Sequence, residues 1–191
     1  MEPLKPYERL PKELEYDGTV YRLDMSYAAF FAAADALQDE RLAPALRLET
    51  ALGLLVRAPA PPLSQGLLEA ILALIRDNRL KPPGPVTMDI TQDWDYICAA
   101  FQQAYGINLY SDKSIHILRF LALLRAIPKD TKLAEIISIR AAEIPAPNKH
   151  NQKQIAELTR LKALYALKGS GDLQEGWAKL FRMLEARAKH G

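Results

Sequence analysis

Apolar positions recur with a helical period along most of the chain. The clearest stretch covers residues 89–140. There Ile90, Trp94, Ile97, Phe101 and Tyr105 follow one another at spacings of 4, 3, 4 and 4, which is one face of a helix. Asp89 is placed to cap its start, and Gly106 stands where a left-handed C-terminal cap belongs. The next helix, opened by Ser111 or Asp112, carries Ile115, Ile117, Leu118, Phe120, Leu121, Leu123 and Leu124. It is apolar almost all the way round, which predicts a helix surrounded by others at the centre of the core. Pro128 stops it, and Thr131 caps a further helix to about Ala142 with Leu133, Ile136, Ile137 and Ile139 inward. The core expected from this stretch is Trp94, Ile97, Phe101, Tyr105, Leu118, Phe120, Leu124 and Ile136.

Before it, Pro3, Pro6 and Pro11 predict an extended arm over 1–12. Asp17-Gly18, flanked by Leu14, Tyr16, Val20 and Tyr21, is a type I′ turn signal and predicts a two-stranded hairpin. A lone hairpin is marginal, so it must pack on helices. Asp24 or Ser26 caps a helix to about Gln38 bearing Tyr27, Phe30, Phe31 and Ala34. A second helix spans 41–57, with Pro44 in its first turn and Leu42, Leu46, Leu48, Leu52, Leu55 and Val56 as its apolar residues. After the break APAPPL, Ser64 caps a third helix to about Asn78. KPPGPV at 81–86 is the stiffest break, either a hinge between lobes or a rigid turn inside one domain.

Beyond the central stretch, a helix over 149–168 presents Ile155, Leu158, Leu161 and Tyr165, and KGSGD at 168–172 reads as a Gly/Ser linker. The last helix, 172–189, is amphipathic. Its Trp177, Leu180, Phe181 and Leu184 are the candidate partner-binding residues, although such a stripe is more often core than partner site. The expected fold is mainly α: one compact domain of about seven or eight helices over 13–168 with a small N-terminal β-hairpin. The arm at 1–12 and a linker with its helix at 169–191 are appended to it.

Composition narrows the function classes. Charged residues are 25% and hydrophobic residues 49% of 191, ordinary for a folded chain. The net charge is only +2, but residues 146–191 carry nine Lys/Arg against four Asp/Glu, leaving residues 1–145 at −3. Lys149, Lys153, Arg160, Lys162 and Lys168 could line a nucleic-acid face. Few aromatics interleave with them and Glu157 interrupts them, so a solvated helix face is the favoured reading and nucleic acid is not the expected partner. Cys98 is the single cysteine, which allows no internal disulfide and suits a reducing compartment. The first fifteen residues lack the apolar centre of a signal peptide, and no apolar run approaches the ~20 residues that span a bilayer. A soluble cytoplasmic protein without a membrane anchor is expected.

Little in the sequence points to catalytic chemistry. No Gly-rich phosphate loop, GxSxG or HExxH spacing occurs, and His116, His150 and His190 stand far apart. Asp89, Asp93 and Asp95 could hold magnesium, or could be carboxylates favoured at a helix N-terminus. Arg119, Arg125 and Arg140 could contact phosphate, or could pair with Asp93 and Asp95 at the edge of the core. The structural alternative is preferred each time, and neither an enzyme nor a cofactor is expected.

One pattern is specific. Tyr96, Ile97, Ala100, Phe101, Tyr105, Gly106, Ile107, Asn108 and Leu109 are followed by His116, Phe120 and Leu124, then by Ile127-Pro128, then by Thr131, Lys132, Leu133, Ile136, Ile137 and Arg140. Upstream stand Glu15, Asp17, Gly18, Tyr21, Leu23 and Tyr27, and downstream the run from Lys162 to Leu167. Together they resemble a bacteriophage family named for gene product fifteen of a temperate tailed phage, over about Leu10 to Leu167. Asn108 replaces that family's usual aspartate, and Ile117-Leu118 replaces its tryptophan pair. The resemblance implies a tail-morphogenesis role close to the tape-measure protein. It implies a non-catalytic tail assembly chaperone that keeps apolar tape-measure helices soluble and yields to tail-tube subunits, with homo-oligomerisation possible. The competing readings are a helical nucleic-acid-binding or regulatory protein using the basic C-terminal third, and a structural tail component.

Overall fold

The computed structural model of the chain describes residues 10–75 and 87–168. The segment 76–86 with its expected hinge, the start of the arm, and 169–191 with Trp177, Leu180, Phe181 and Leu184 lie outside the described residues.

Strands β1 (Glu13–Tyr16) and β2 (Thr19–Leu23) pair antiparallel, with Glu13 opposite Arg22 and Tyr16 opposite Thr19. Asp17 and Gly18 both take positive φ, 49° and 71°, as a type I′ turn requires. The side chains alternate: Tyr21 and Leu23 are buried, while Glu13, Glu15 and Arg22 face out. The sheet has a third strand that the helical pattern hid. Helix α2 (Pro44–Leu55) ends two residues before the expected 57, and Val56–Ala58 forms β3, antiparallel to β2. Val56 is β-branched, Pro59 disfavours a helical Ala58, and β2 offers an open edge. The Asp24 amide donates to the Leu55 carbonyl at 2.8 Å, and Arg57 reaches Asp24 at 2.7 Å.

Helices α1 (Tyr27–Gln38), α2, α3 (Gln65–Ala73), α4 (Trp94–Tyr105), α5 (Ile117–Arg125), α6 (Lys132–Ala141) and α7 (Gln152–Leu164) make the fold mainly α. They contact in a row: α3 lies on β1 and α2, α2 on α1, α1 on α5, α5 on α4, α4 on α6, and α6 on α7. Ser26, Ser64 and Thr131 cap α1, α3 and α6, each hydroxyl accepting from the backbone N–H three residues on. Gly106 closes α4 at φ 67°.

Two helix starts differ from expectation. Asp89 caps a separate turn, accepting from the Thr91 and Gln92 amides at 2.9 and 2.8 Å, and α4 begins only after Asp93. Residues 111–114 are likewise held in a turn by Asp112, whose carboxylate accepts from the amide and hydroxyl of Ser114. The chain then runs extended past Met25–Tyr27. The Tyr27 amide donates to Ile115 at 2.9 Å and the Ile117 amide to Met25 at 2.7 Å, a bridge between Ser26 and His116. α1 and α5 therefore start side by side, and His116 is the N-cap of α5.

The core is one continuous apolar cluster. At its centre the Phe120 ring stacks on Tyr27 and Phe101, at 4.8 and 5.2 Å, with Phe31 edge-on at 5.5 Å and Trp94 beyond. Ile97, Phe101, Phe120 and Ile136 are fully buried; Trp94, Tyr105, Leu118 and Leu124 are partly buried against them. Among the described residues α5 is not enclosed by other helices as expected. Ile117 and Phe120 are buried, the four leucines are half-buried, and Arg119, Ala122 and Arg125 are exposed. Its neighbours α1 and α4 cover one side.

Candidate partner-binding surface

The polar residues of the central stretch converge on Arg140, near the end of α6. Its guanidinium grips the 1%-exposed Asp93 carboxylate in a two-pronged ion pair of 2.6 and 2.8 Å. The same side chain donates to the Thr87 carbonyl at 3.0 Å and the Tyr165 carbonyl at 2.6 Å. The Asp89 amide adds a third donor to Asp93 at 2.9 Å. The aspartates at 89, 93 and 95 are thus dispersed: Asp89 caps a turn, Asp93 pairs with Arg140, and Asp95 accepts from the Tyr110 hydroxyl at 2.6 Å. Among the described residues no three His, Cys, Asp or Glu side chains gather as a metal site requires. Gln92 pairs through both amide atoms with the backbone of Lys168, at 2.9 and 2.8 Å. Residues 87–92 and 165–168 therefore lie side by side.

The same corner solves an electrostatic problem. The C-terminal ends of α6 and α7 meet there, and each carries the negative pole of a helix dipole. Two cations answer it reciprocally. Lys162 of α7 donates to the α6 carbonyls of Arg140 and Ala142, at 2.7 and 2.6 Å, and more weakly to Ile139. Arg140 of α6 donates to Tyr165, the C-cap of α7. This use also breaks the basic row, because Lys162 turns inward and Arg160 is held by Glu157 at 2.8 Å. Arg119 and Arg125 stay exposed.

Two further groups with reactive potential are tied into the core. The Tyr27 hydroxyl donates to the Leu109 carbonyl at 2.6 Å, and its pKa is pushed up to about 12, first by burial and then by the charges of Cys98 and Asp112. Burial likewise raises the Cys98 thiol, against a lowering hydrogen bond with Tyr110. A buried thiol held above its ordinary value is a poor nucleophile.

Among the described residues, one group of apolar side chains facing water lies at the other end of the row. Leu46 and Leu54 on α2 are 45% and 37% exposed, Leu63 in the loop after β3 is 58%, and Val20 on β2 is 53%. Among the described residues a Cβ added at Gly53 would meet nothing within 4 Å, so they leave this face of α2 open. Behind it, Phe30, Ala33, Leu37, Leu55, Leu68 and Leu72 line a small apolar cleft between α1, α2 and α3. The sequence held a signal for this face. Leu48, Ala51, Leu52 and Leu55 follow the helical period and turn inward, which leaves Leu46, Gly53 and Leu54 on the opposite side. Leu164 on α7 and Ile144 are also exposed. Among the described residues no helix is long and apolar enough to cross a membrane.

The family model described as Bacteriophage Gp15 protein matches residues 7–167 of the chain. No curated protein and no solved structure matches it.

Proposed function

The chain belongs to the Bacteriophage Gp15 protein family, a family that points to a structural or morphogenetic role in a phage, and from that premise we propose that it is a tail assembly chaperone. In this reading it is non-catalytic and works in the host cytoplasm. It binds apolar helical segments of the tape-measure protein and releases them as tail-tube subunits polymerise. The family match over 7–167 carries the reading. Asp89, Asp93 and Arg140 are in keeping with it, since they are spent on a cap and an ion pair.

The open face of α2 is a physical means of binding. Fully burying a leucine or valine side chain is worth roughly 1.5–3 kcal/mol, so covering the exposed halves of Val20, Leu46, Leu54 and Leu63 contributes roughly 3–6 kcal/mol. Association costs about 4–15 kcal/mol. The gain is at or below that cost, so these residues alone do not hold a partner and further apolar contact is needed, which suits a chaperone that must be displaced. Trp177, Leu180, Phe181 and Leu184 are proposed as a second apolar row offered to the same partner. The test is mass spectrometry of purified virions combined with affinity capture of tape-measure fragments. Capture together with absence from the particle fits the chaperone. Stoichiometric presence in the particle makes it a structural tail component instead, and failure to capture any fragment removes the proposal.

A further inference from the structure

His116 is 8% exposed and uses both ring nitrogens. Nδ1 lies 3.2 Å from the Leu118 amide and Nε2 lies 2.8 Å from the Pro11 carbonyl. The Leu118 N–H can only donate and the Pro11 carbonyl can only accept, so the proton must sit on Nε2. We propose that His116 is an acid-released latch holding the segment that leads into β1 to the start of α5.

A second proton on the ring would go to Nδ1, where it meets the Leu118 N–H donor to donor. Flipping the ring does not help, because a protonated imidazole is a donor at both nitrogens. The new charge would also sit at the N-terminus of α5, the positive end of that helix. The charged groups on the elements around it give no relief. Lys12, in the segment being held just before β1, opposes the charge. Asp24, before α1, is taken by Arg57 and the Ser26 amide. Asp112 is taken by Ser114, and Lys113 and Arg119 are exposed cations. Burial, first, and Lys12 hold the ring below the ordinary histidine value, while the Pro11 hydrogen bond works the other way.

The sign follows from linkage. A histidine whose folded pKa lies below its unfolded value gives stability that is fully present above the unfolded pKa of about 6.5 and is lost as pH falls through the folded value. The loss is local. The ring's departure frees Pro11, and next to it Lys12, whose carbonyl accepts from the Leu23 amide at 2.8 Å. The bridge from Tyr27 to Ile115 and from Ile117 to Met25 is made by backbone alone and does not need the ring.

Amide hydrogen exchange on the full chain between about pH 7.5 and about pH 5, corrected for intrinsic rates, tests this. The expected result is a several-fold loss of protection at Leu118 and Leu23 on acidification, with Tyr27 and Ile117 unchanged. His116→Asn, a neutral residue that still caps a helix, should keep Leu118 protected at both pH values; its side chain is too short to reach Pro11, so Leu23 should be weakly protected at both pH values with no pH dependence. Simultaneous loss at all four amides, no loss at any, or the same loss in a folded His116→Asn variant would each overturn the latch. The four-amide comparison lies within the natural protein and decides the matter even if the variant does not fold.

Discussion

Replacing Arg140 by methionine removes four hydrogen bonds at once: two to Asp93, one to Thr87 and one to Tyr165. The side-chain volume stays similar, so the effect is mainly polar. Asp93 is left as a carboxylate only 1% exposed, with the Asp89 amide as its remaining strong donor. Breaking a buried pair by removing one partner typically costs about 3–5 kcal/mol, most of it the unpaired charge. In a chain of this size each kcal/mol moves the melting temperature by about 2–4 °C, so a fall of about 6–20 °C is expected. The control is the double variant Arg140→Met with Asp93→Asn. It removes the stranded charge and should be more stable than Arg140→Met alone, a coupling readable in a double-mutant cycle from urea denaturation. A single variant that loses less than about 1 kcal/mol, or a double variant no better than the single, refutes the assignment of this pair as the tie between α6, α7 and residues 87–93.

Lys162→Met leaves the α6 carbonyls without their charged donor. A loss of about 1–2 kcal/mol is expected after discounting for a half-buried site, with hydrogen exchange in α7 accelerating before the rest of the chain. Phe120→Ala opens the centre of the aromatic stack and should cost about 3–5 kcal/mol, measured from the denaturant midpoint. Gly18→Ala meets no steric obstacle, since nothing lies within 4 Å of the added Cβ, yet φ is +71°. Its expected cost of about 1 kcal/mol is therefore purely backbone strain, to be checked by thermal melting.

What could be read in advance divides by physical cause. The caps at Ser26, Ser64, Thr131 and Gly106 and the Asp17-Gly18 turn are local chemistry, and they stand where the residues place them. Pairing with the Asp93/Asp95 carboxylates is legible for arginines that flank apolar helices; Arg140 takes Asp93, while Arg119 and Arg125 stay exposed. Strand β3 was not legible. Leu55 and Val56 continue the apolar run of α2, and only the edge of β2, far away in sequence, makes Val56 a strand residue. The starts of α4 and α5 failed for a related reason. Asp89 and Asp112 are good cap residues, but each closes a single turn, and residues 115–117 are drawn into a bridge with 25–27. α5 was expected at the centre because its composition is apolar all round, yet composition cannot say how many neighbours a helix has. The open face of α2 was present in the helical period but merged with the inward leucines. The reciprocal capping by Arg140 and Lys162 had no sequence signal, since it depends on two helix ends meeting.

Co-expression with the tape-measure protein of the same phage tests the central claim most directly. The readout is the fraction of tape measure that remains soluble and elutes with this chain on size exclusion. The chaperone reading predicts a soluble complex. It also predicts that this complex weakens when Leu46 and Leu54 become aspartates or when residues 172–191 are removed, with residues 10–168 still unfolding cooperatively. An equally insoluble tape measure with and without the chain, and no co-eluting species, would contradict it.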